Sequence, residues 1–224
     1  MQPALVFLVD IDNTLLDGDR VKAAMEAGIR GLAGDTGAQE FWDLYEEVRR
    51  ELDYVDLPRT LARFRARRPD LRKFPQMSAM LLNYPFEQDL YPRALEVVEH
   101  LKAMGTVVVL SDGDPVFQPA KIGRIGVADA VDSNVLIYAH KERHVNEVRA
   151  LYPAERYVLI DDKPGVLARA KSVLGQQLTS VHVRQGKYAT LNEDAAEARA
   201  DIELDGIAGV LDLSAGDFSR QARA

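Results

Sequence analysis

Hydrophobic and polar positions follow two rhythms along this chain. Five short runs rich in valine, leucine and isoleucine, at about 4–10, 106–110, 135–138, 157–160 and 178–183, are apolar at nearly every position. Unbroken runs of that kind belong to strands buried on both faces of a mostly parallel sheet. Between them the apolar spacing changes to three and four. Residues 93–104 carry Leu95, Val98 and Leu101 in that pattern and stop at Gly105, a residue suited to the position just past a helix. Asp114 and Pro115 read as N-cap and first helical residue, Pro164 opens a helix that ends by Gly175, and another follows Lys141 and finishes near Pro153. Repeated strand, loop and helix predicts an α/β fold.

From about 17 to 90 no strand-like run appears. Phe41, Leu44, Tyr45, Val48 and Leu52 form an amphipathic stripe within 38–52, and 21–32, 58–67 and 75–82 also read as helical. The expectation is a helical insertion over 17–90, set between two parts of a core at 1–16 and 91–224. Trp42, beside that stripe, is expected to pack in the core.

Composition narrows the chemistry. With 224 residues, 47% hydrophobic and 28% charged, the chain matches an ordinary folded protein and neither a disordered nor a fibrous one. It contains no cysteine, so disulfides, thiol nucleophiles and cysteine-based zinc sites are excluded, and any metal sits on oxygen or histidine. The apolar stretch before Asp10 is too short for a secretory segment, so a cytoplasmic location with no membrane partner is expected. A net charge of −7 speaks against nucleic acid as a partner. One segment departs from it: residues 59–73 hold Arg59, Arg63, Arg65, Arg67, Arg68, Arg72 and Lys73 against Asp70 alone. A solvated helix face is the expectation there, with binding of a second anionic group through Arg63 and Arg67 as the rival.

Three of the apolar runs end directly in polar residues: Asp10-Ile11-Asp12, Ser111-Asp112 and Asp161-Asp162. In open parallel sheets ligands lie beyond the carboxyl ends of the strands. Two aspartates two apart after a buried strand can offer oxygen ligands to a cation such as Mg²⁺, although a polar loop with Asn13 and Thr14 in a turn would look the same.

The ordered set is more specific. DIDNT at 10–14, Ser111 after TVVVL, Lys141, and Asp161-Asp162 after YVLI resemble the four successive motifs of the haloacid dehalogenase superfamily. The resemblance implies a three-layer Rossmann-like core with a parallel five-stranded sheet and an inserted helical cap of the C1 type. It also implies a Mg²⁺-dependent hydrolase that cleaves a small phosphorylated metabolite through an aspartyl-phosphate. Asp10 would be the nucleophile and Asp12 the acid and then the base. Ser111, Asp112 and Lys141 would bind the phosphoryl group. Mg²⁺ would be held by Asp10, the Asp12 backbone carbonyl and Asp162, with Asp161 either a ligand or just outside.

Some assignments stay open at this level. Lys121 rivals Lys141, which has the better place ahead of the fourth motif. His140 and His144 are expected to be exposed residues near a helix start, and Gly113 and Asp114 to shape a turn and a cap. Arg184 and Lys187, after the fifth strand, are candidate substrate contacts. Phosphomutase, haloacid dehalogenase and non-catalytic binding roles remain alternatives, and Asp12 argues against the dehalogenase because that branch lacks it.

Overall fold

The computed structural model describes residues 4–189 and 199–219, without the side chains of residues 188 and 189. Its elements in chain order are β1 (Leu5–Val9), α1 (Gly18–Leu52), α2 (Leu57–Arg67), α3 (Phe74–Leu82), α4 (Ala94–Lys102), β2 (Thr106–Asp112), α5 (Phe117–Arg124), α6 (Val127–Ala130), β3 (Val135–Tyr138), α7 (Val145–Leu151), β4 (Arg156–Asp161), α8 (Pro164–Leu174), β5 (Leu178–Val183), β6 (Ile202–Leu204) and α9 (Ala215–Ser219). The strands form one parallel sheet in the order β3-β2-β1-β4-β5-β6. The sheet thus has six strands where the apolar runs predicted five. The sixth, Ile202-Glu203-Leu204, is too short and too polar to stand out, and pairing with β5 through Val181 and Val183 creates it.

Alternate strand residues point to opposite faces, which splits the interior in two. Phe7, Val9, Val107, Val109, Val158 and Ile160 meet Val97 and Leu101 of α4, Ile122 of α5 and Phe218 of α9. Val6, Leu8, Val108, Leu110 and Leu159 meet Val145 and Val148 of α7 and Val166 and Ala170 of α8. Helices on both faces make three layers and explain why the strands read as unbroken apolar runs.

The segment between β1 and α4 is helical, as expected. The stretches at 21–32 and 38–52 join into α1, which bends at Gly34 (φ 75°, ψ 173°), a conformation open almost only to glycine. Phe41, Leu44 and Val48 are buried with Leu61 and Phe64 of α2 and Met77 and Leu81 of α3. The basic run finds its partners here: Arg63 pairs with Glu47 at 3.3 Å and Glu51 at 2.5 Å, Arg67 with Glu47 at 3.0 Å, and Arg68 with Glu40 at 3.4 Å. Much of its charge therefore joins α2 to the acidic side of α1.

The chain enters and leaves this helical segment side by side. Leu16 bridges Leu90, the Tyr91 N–H donates to the Leu15 carbonyl at 2.9 Å, and the Asp17 N–H donates to the Asp89 carbonyl at 2.8 Å. The buried Asp89 carboxylate accepts from Tyr84 Oη at 2.5 Å and pairs with Arg20 at 2.8 Å. After β2 the helix begins at Phe117, later than the expected Pro115. Asp114 Oδ1 still acts as a cap, accepting from the Val116 and Phe117 N–H groups at 2.9 and 2.7 Å, but across a longer turn.

Candidate active site

With this strand order, the direction of winding reverses between β1 and β4, where open α/β sheets place their ligands. The Asp10 N–H donates to the Ile160 carbonyl at 3.0 Å, holding Asp10 in line with the end of β4. The chain then turns sharply. The N–H groups of Leu15 and Leu16 both reach the Ile11 carbonyl at 2.9 Å, and Asn13 adopts φ 61°. Gln185 clamps this turn from the loop after β5, with Nε2 3.0 Å from the Thr14 carbonyl and 3.3 Å from that of Asn13. Gly186 lies against it at φ +60°, where a Cβ would come within 2.5 Å of Asn13 Cγ.

Lys141 is fully buried at the centre. Its ammonium bonds the Asp10 carboxylate, lies 2.6 Å from Asp161 Oδ2 as an ion pair, and donates to the Leu110 carbonyl at 3.2 Å. Burial would lower its proton affinity, but Asp10 and then Asp161 raise it above the ordinary value, so it is a fixed cation. Lys121, the rival lysine, is absent from this cluster. Asp112 Oδ1 accepts the Lys141 backbone N–H at 2.8 Å, so this carboxylate holds the loop that delivers the lysine.

Asp10, Asp161 and Asp162 present carboxylate oxygens within 4.8 Å of one another. Asp161 is engaged on both sides, by Lys141 and by the Lys163 backbone N–H at 2.9 Å. Asp162 is fully buried, yet neither carboxylate oxygen accepts a hydrogen bond. Burial, followed by repulsion from Asp161 and Asp10, pushes its carboxyl up to about 9. Burial also lifts Asp10 to about 6, with Lys141 pulling against it.

Asp12 has a different environment, its side chain 40% exposed. Both its oxygens lie 2.6 Å from Lys121 Nζ, and Oδ2 also accepts from Gln118 Nε2 at 2.9 Å. Desolvation works to raise its proton affinity, but Lys121 and Gln118 outweigh that and hold it below the usual carboxylate value. Gln118 also donates to Ser111 Oγ at 2.8 Å, linking the second strand end to Asp12.

A cavity of about 260 Å³ opens from these groups toward α1 and α3. Asp12, Asp112, Gln118, Lys121 and Lys163 line it together with Met25, Trp42, Tyr45 and Leu81. Lys187 reaches it too, whereas Arg184 pairs instead with Asp205 at 2.5 Å and Glu203 at 3.7 Å. His140 departs from the exposed position expected of it: it lines the cavity and sits 3.2 Å from Asp53 at the end of α1. His144 is partly exposed and stacks on Tyr138 at 4.2 Å. Gln118, Lys163 and Gln185 were not singled out from sequence. Lys163 follows the acidic pair directly and had a visible signal, but the two glutamines act across elements and had none.

The comparisons with known proteins bear on the family and the fold. Residues 5–164 match the family model for haloacid dehalogenase-like hydrolases. A crystal structure from Burkholderia xenovorans, described as a haloacid dehalogenase-like hydrolase, is 41% identical with a TM-score of 0.89, covering 96% of this chain and 98% of that one. An L-2-haloacid dehalogenase from Xanthobacter autotrophicus, at 18% identity and TM-score 0.61, shares the fold over 94% of this chain and 98% of its own. So does the HAD-hydrolase YfnB from Bacillus subtilis in a magnesium-bound form, at 11% identity and TM-score 0.63 over 95% and 100%. No curated protein matches the chain. A family match running from β1 into the start of α8, with 41% identity across nearly the whole chain, makes this protein a member of the haloacid dehalogenase-like hydrolases.

Proposed function

We propose that this hydrolase cleaves phosphate monoesters of small molecules, with Mg²⁺, through an aspartyl-phosphate formed on Asp10. The observation that carries the proposal is Asp162, a buried carboxylate with no hydrogen-bond donor on either oxygen and two more carboxylates close by. Buried acids without partners are costly, and a hard divalent cation with oxygen ligands resolves that cost. Asp10, Asp162 and the Asp12 carbonyl would hold it, while Asp161 is already committed to Lys141 and the Lys163 N–H. When bound, Mg²⁺ supplies the positive charge that lets an anionic phosphoryl group approach these acids.

The protein's own groups then divide the work. An Asp10 oxygen attacks phosphorus and the bond from phosphorus to the ester oxygen breaks, with the departing oxygen taking a proton from Asp12. Lys141 holds the Asp10 carboxylate and neutralises a phosphoryl oxygen, and the Ser111 hydroxyl donates to another. In the second half water attacks phosphorus, gives its proton to Asp12, and breaks the bond from phosphorus to Asp10. The ionised Asp12 favoured by Lys121 and Gln118 is the form this half needs. For the first half, the arriving dianion competes for Lys121 and lifts Asp12 toward its acid form. The insertion over 17–90 acts as a lid on the core at 1–16 and 91–224.

Carbon–halogen hydrolysis is the second reading, favoured by fold likeness to the Xanthobacter autotrophicus dehalogenase. The test measures phosphate release from p-nitrophenyl phosphate and acetyl phosphate beside chloride release from 2-chloropropionate, each with Mg²⁺, with EDTA and in Asp10→Asn. Phosphate release that needs Mg²⁺ and Asp10 supports the proposal. Chloride release that persists in EDTA, without phosphate release, overturns it.

A further inference from the structure

We infer that Asp53 and His140 act together as positioning residues for Lys141, so that the lysine is fully held in place only while the end of α1 lies against the turn after β3; this rests on the reading above that Lys141 serves the reaction. The first observation is backbone conformation. Among the described residues six that are not glycine have positive φ, and two of them, Asp53 (φ 62°, ψ 16°) and His140 (φ 61°, ψ 60°), come together from distant parts of the chain. The left-handed region is costly for a residue with a Cβ and open to glycine. Asp53 ends α1 in that conformation, at a place where glycine is the usual choice. At both positions a side chain stands where glycine would be easier, and the two side chains meet, with His140 Nε2 3.2 Å from Asp53 Oδ2.

The second observation is what lies behind the contact. His140 directly precedes Lys141, whose ammonium is buried against Asp10 and Asp161. The turn that carries them is tight, with the Arg143 N–H donating to the His140 carbonyl at 2.8 Å and the His144 N–H to the Lys141 carbonyl at 3.0 Å. Core residues hold it from one side. Asp112 accepts the Lys141 N–H at 2.8 Å, and Glu142, 3.9 Å from His140 Nδ1, is paired with Arg169 of α8 at 3.4 Å. Asp53 holds it from the other side, across the wall of the cavity that both residues line.

The Asp53 side chain is 76% exposed, and a pair so open to water adds little to stability. Its effect falls instead on where Lys141 stands. Small displacements of a group that must meet the reacting atoms are costly in rate.

Glycine separates the two roles that His140 could have. His140→Gly keeps the left-handed turn without strain and removes the ring. This variant, Asp53→Ala and the double variant are compared with the unaltered full chain, all with Mg²⁺. The measurements are the urea midpoint, kcat and KM with p-nitrophenyl phosphate and with 2-chloropropionate, and the rate at which acetic anhydride modifies Lys141, read by peptide mass spectrometry. His140→Gly is expected to keep the urea midpoint, to lose about tenfold or more in kcat with KM within about twofold, and to let Lys141 be acetylated several-fold faster. Asp53→Ala is expected to match it in kcat and labelling. The double variant is expected to be no worse than either single one, because residues acting through one contact are not additive. Unchanged kcat and labelling in His140→Gly, losses that add in the double variant, or a fall in kcat matched by a fall in the urea midpoint overturns the inference. Turnover of 2-chloropropionate alone removes the phosphohydrolase reading, and the variants then decide the inference through that reaction. Phosphate release that all three variants retain in full does the reverse.

Discussion

Without divalent cations, this protein is expected to lose stability as the pH rises through neutrality, and magnesium is expected to cancel the loss. Burial, then repulsion from Asp161 and Asp10, raises the Asp162 carboxyl to about 9, and burial raises Asp10 to about 6 against the pull of Lys141. Each is an acid held above its unfolded value of 3.8. Its stabilising contribution is therefore complete below that unfolded value and declines as the pH climbs to the folded one. Between about pH 5 and pH 8 the folded chain keeps a proton on Asp162 that the unfolded chain has released, at about 1.4 kcal/mol per pH unit. Three units give about 4 kcal/mol, and Asp10 adds little because the two acids share one repulsion and titrate as a unit. Asp12, lowered in the fold, has its slope at acidic pH, and the raised Lys141 and Lys163 have theirs in the alkaline range. For a chain of this size about 4 kcal/mol corresponds to a fall in Tm of roughly 8–16 °C. Thermal melts in EDTA across that range measure it, repeated with excess Mg²⁺ and with Asp162→Asn, both of which should flatten the curve. An EDTA curve that is flat or rising, or a slope that survives in Asp162→Asn, refutes the reasoning.

Three further outcomes follow from the same contacts. Lys121→Met removes the cation that keeps Asp12 ionised, so water activation slows, kcat falls about a hundredfold, and the covalent intermediate accumulates in quenched-flow samples. Gly186→Ala forces a Cβ against Asn13 at positive φ and costs about 1–3 kcal/mol in urea denaturation, with loss of activity because the turn carrying Asp10 and Asp12 shifts. Arg63→Ala combined with Arg67→Ala breaks partly exposed pairs with Glu47 and Glu51, lowering stability by under about 1 kcal/mol per pair and leaving KM unchanged. A raised KM in that variant would return the basic run to substrate binding.

Some parts of this molecule are written locally in the chain and others are not. Strands buried on both faces need apolar residues at every position, so β1, β2 and β4 are visible in the sequence, and the acids that follow β1 and β4 come together beyond the sheet. β6 is three residues long with Glu203 in the middle, and only its pairing with β5 makes it a strand. In the sequence Lys121 and Lys141 compete for one role. The fold gives both lysines acid partners, Lys141 on Asp10 and Lys121 on Asp12, a pairing that depends on α5 packing over the strand ends. Trp42 follows the same logic. Periodicity shows that α1 has a buried stripe, but only the placement of α2 and α3 shows which neighbouring residue faces the cavity. His140 looked like an exposed residue near a helix start, and its contact with Asp53 exists because the end of α1 lies over the loop after β3.

The claim on which the account turns is that Asp10 receives a phosphoryl group. The direct measurement is to mix the protein with Mg²⁺ and a turned-over phosphate monoester, quench rapidly, reduce with borohydride to fix any acyl phosphate, and locate the modified residue by peptide mass spectrometry. The account predicts modification at Asp10, dependent on Mg²⁺ and absent in Asp10→Asn. Modification at another residue, none at all during active phosphate release, or an Asp10 ester formed from 2-chloropropionate in EDTA would contradict it.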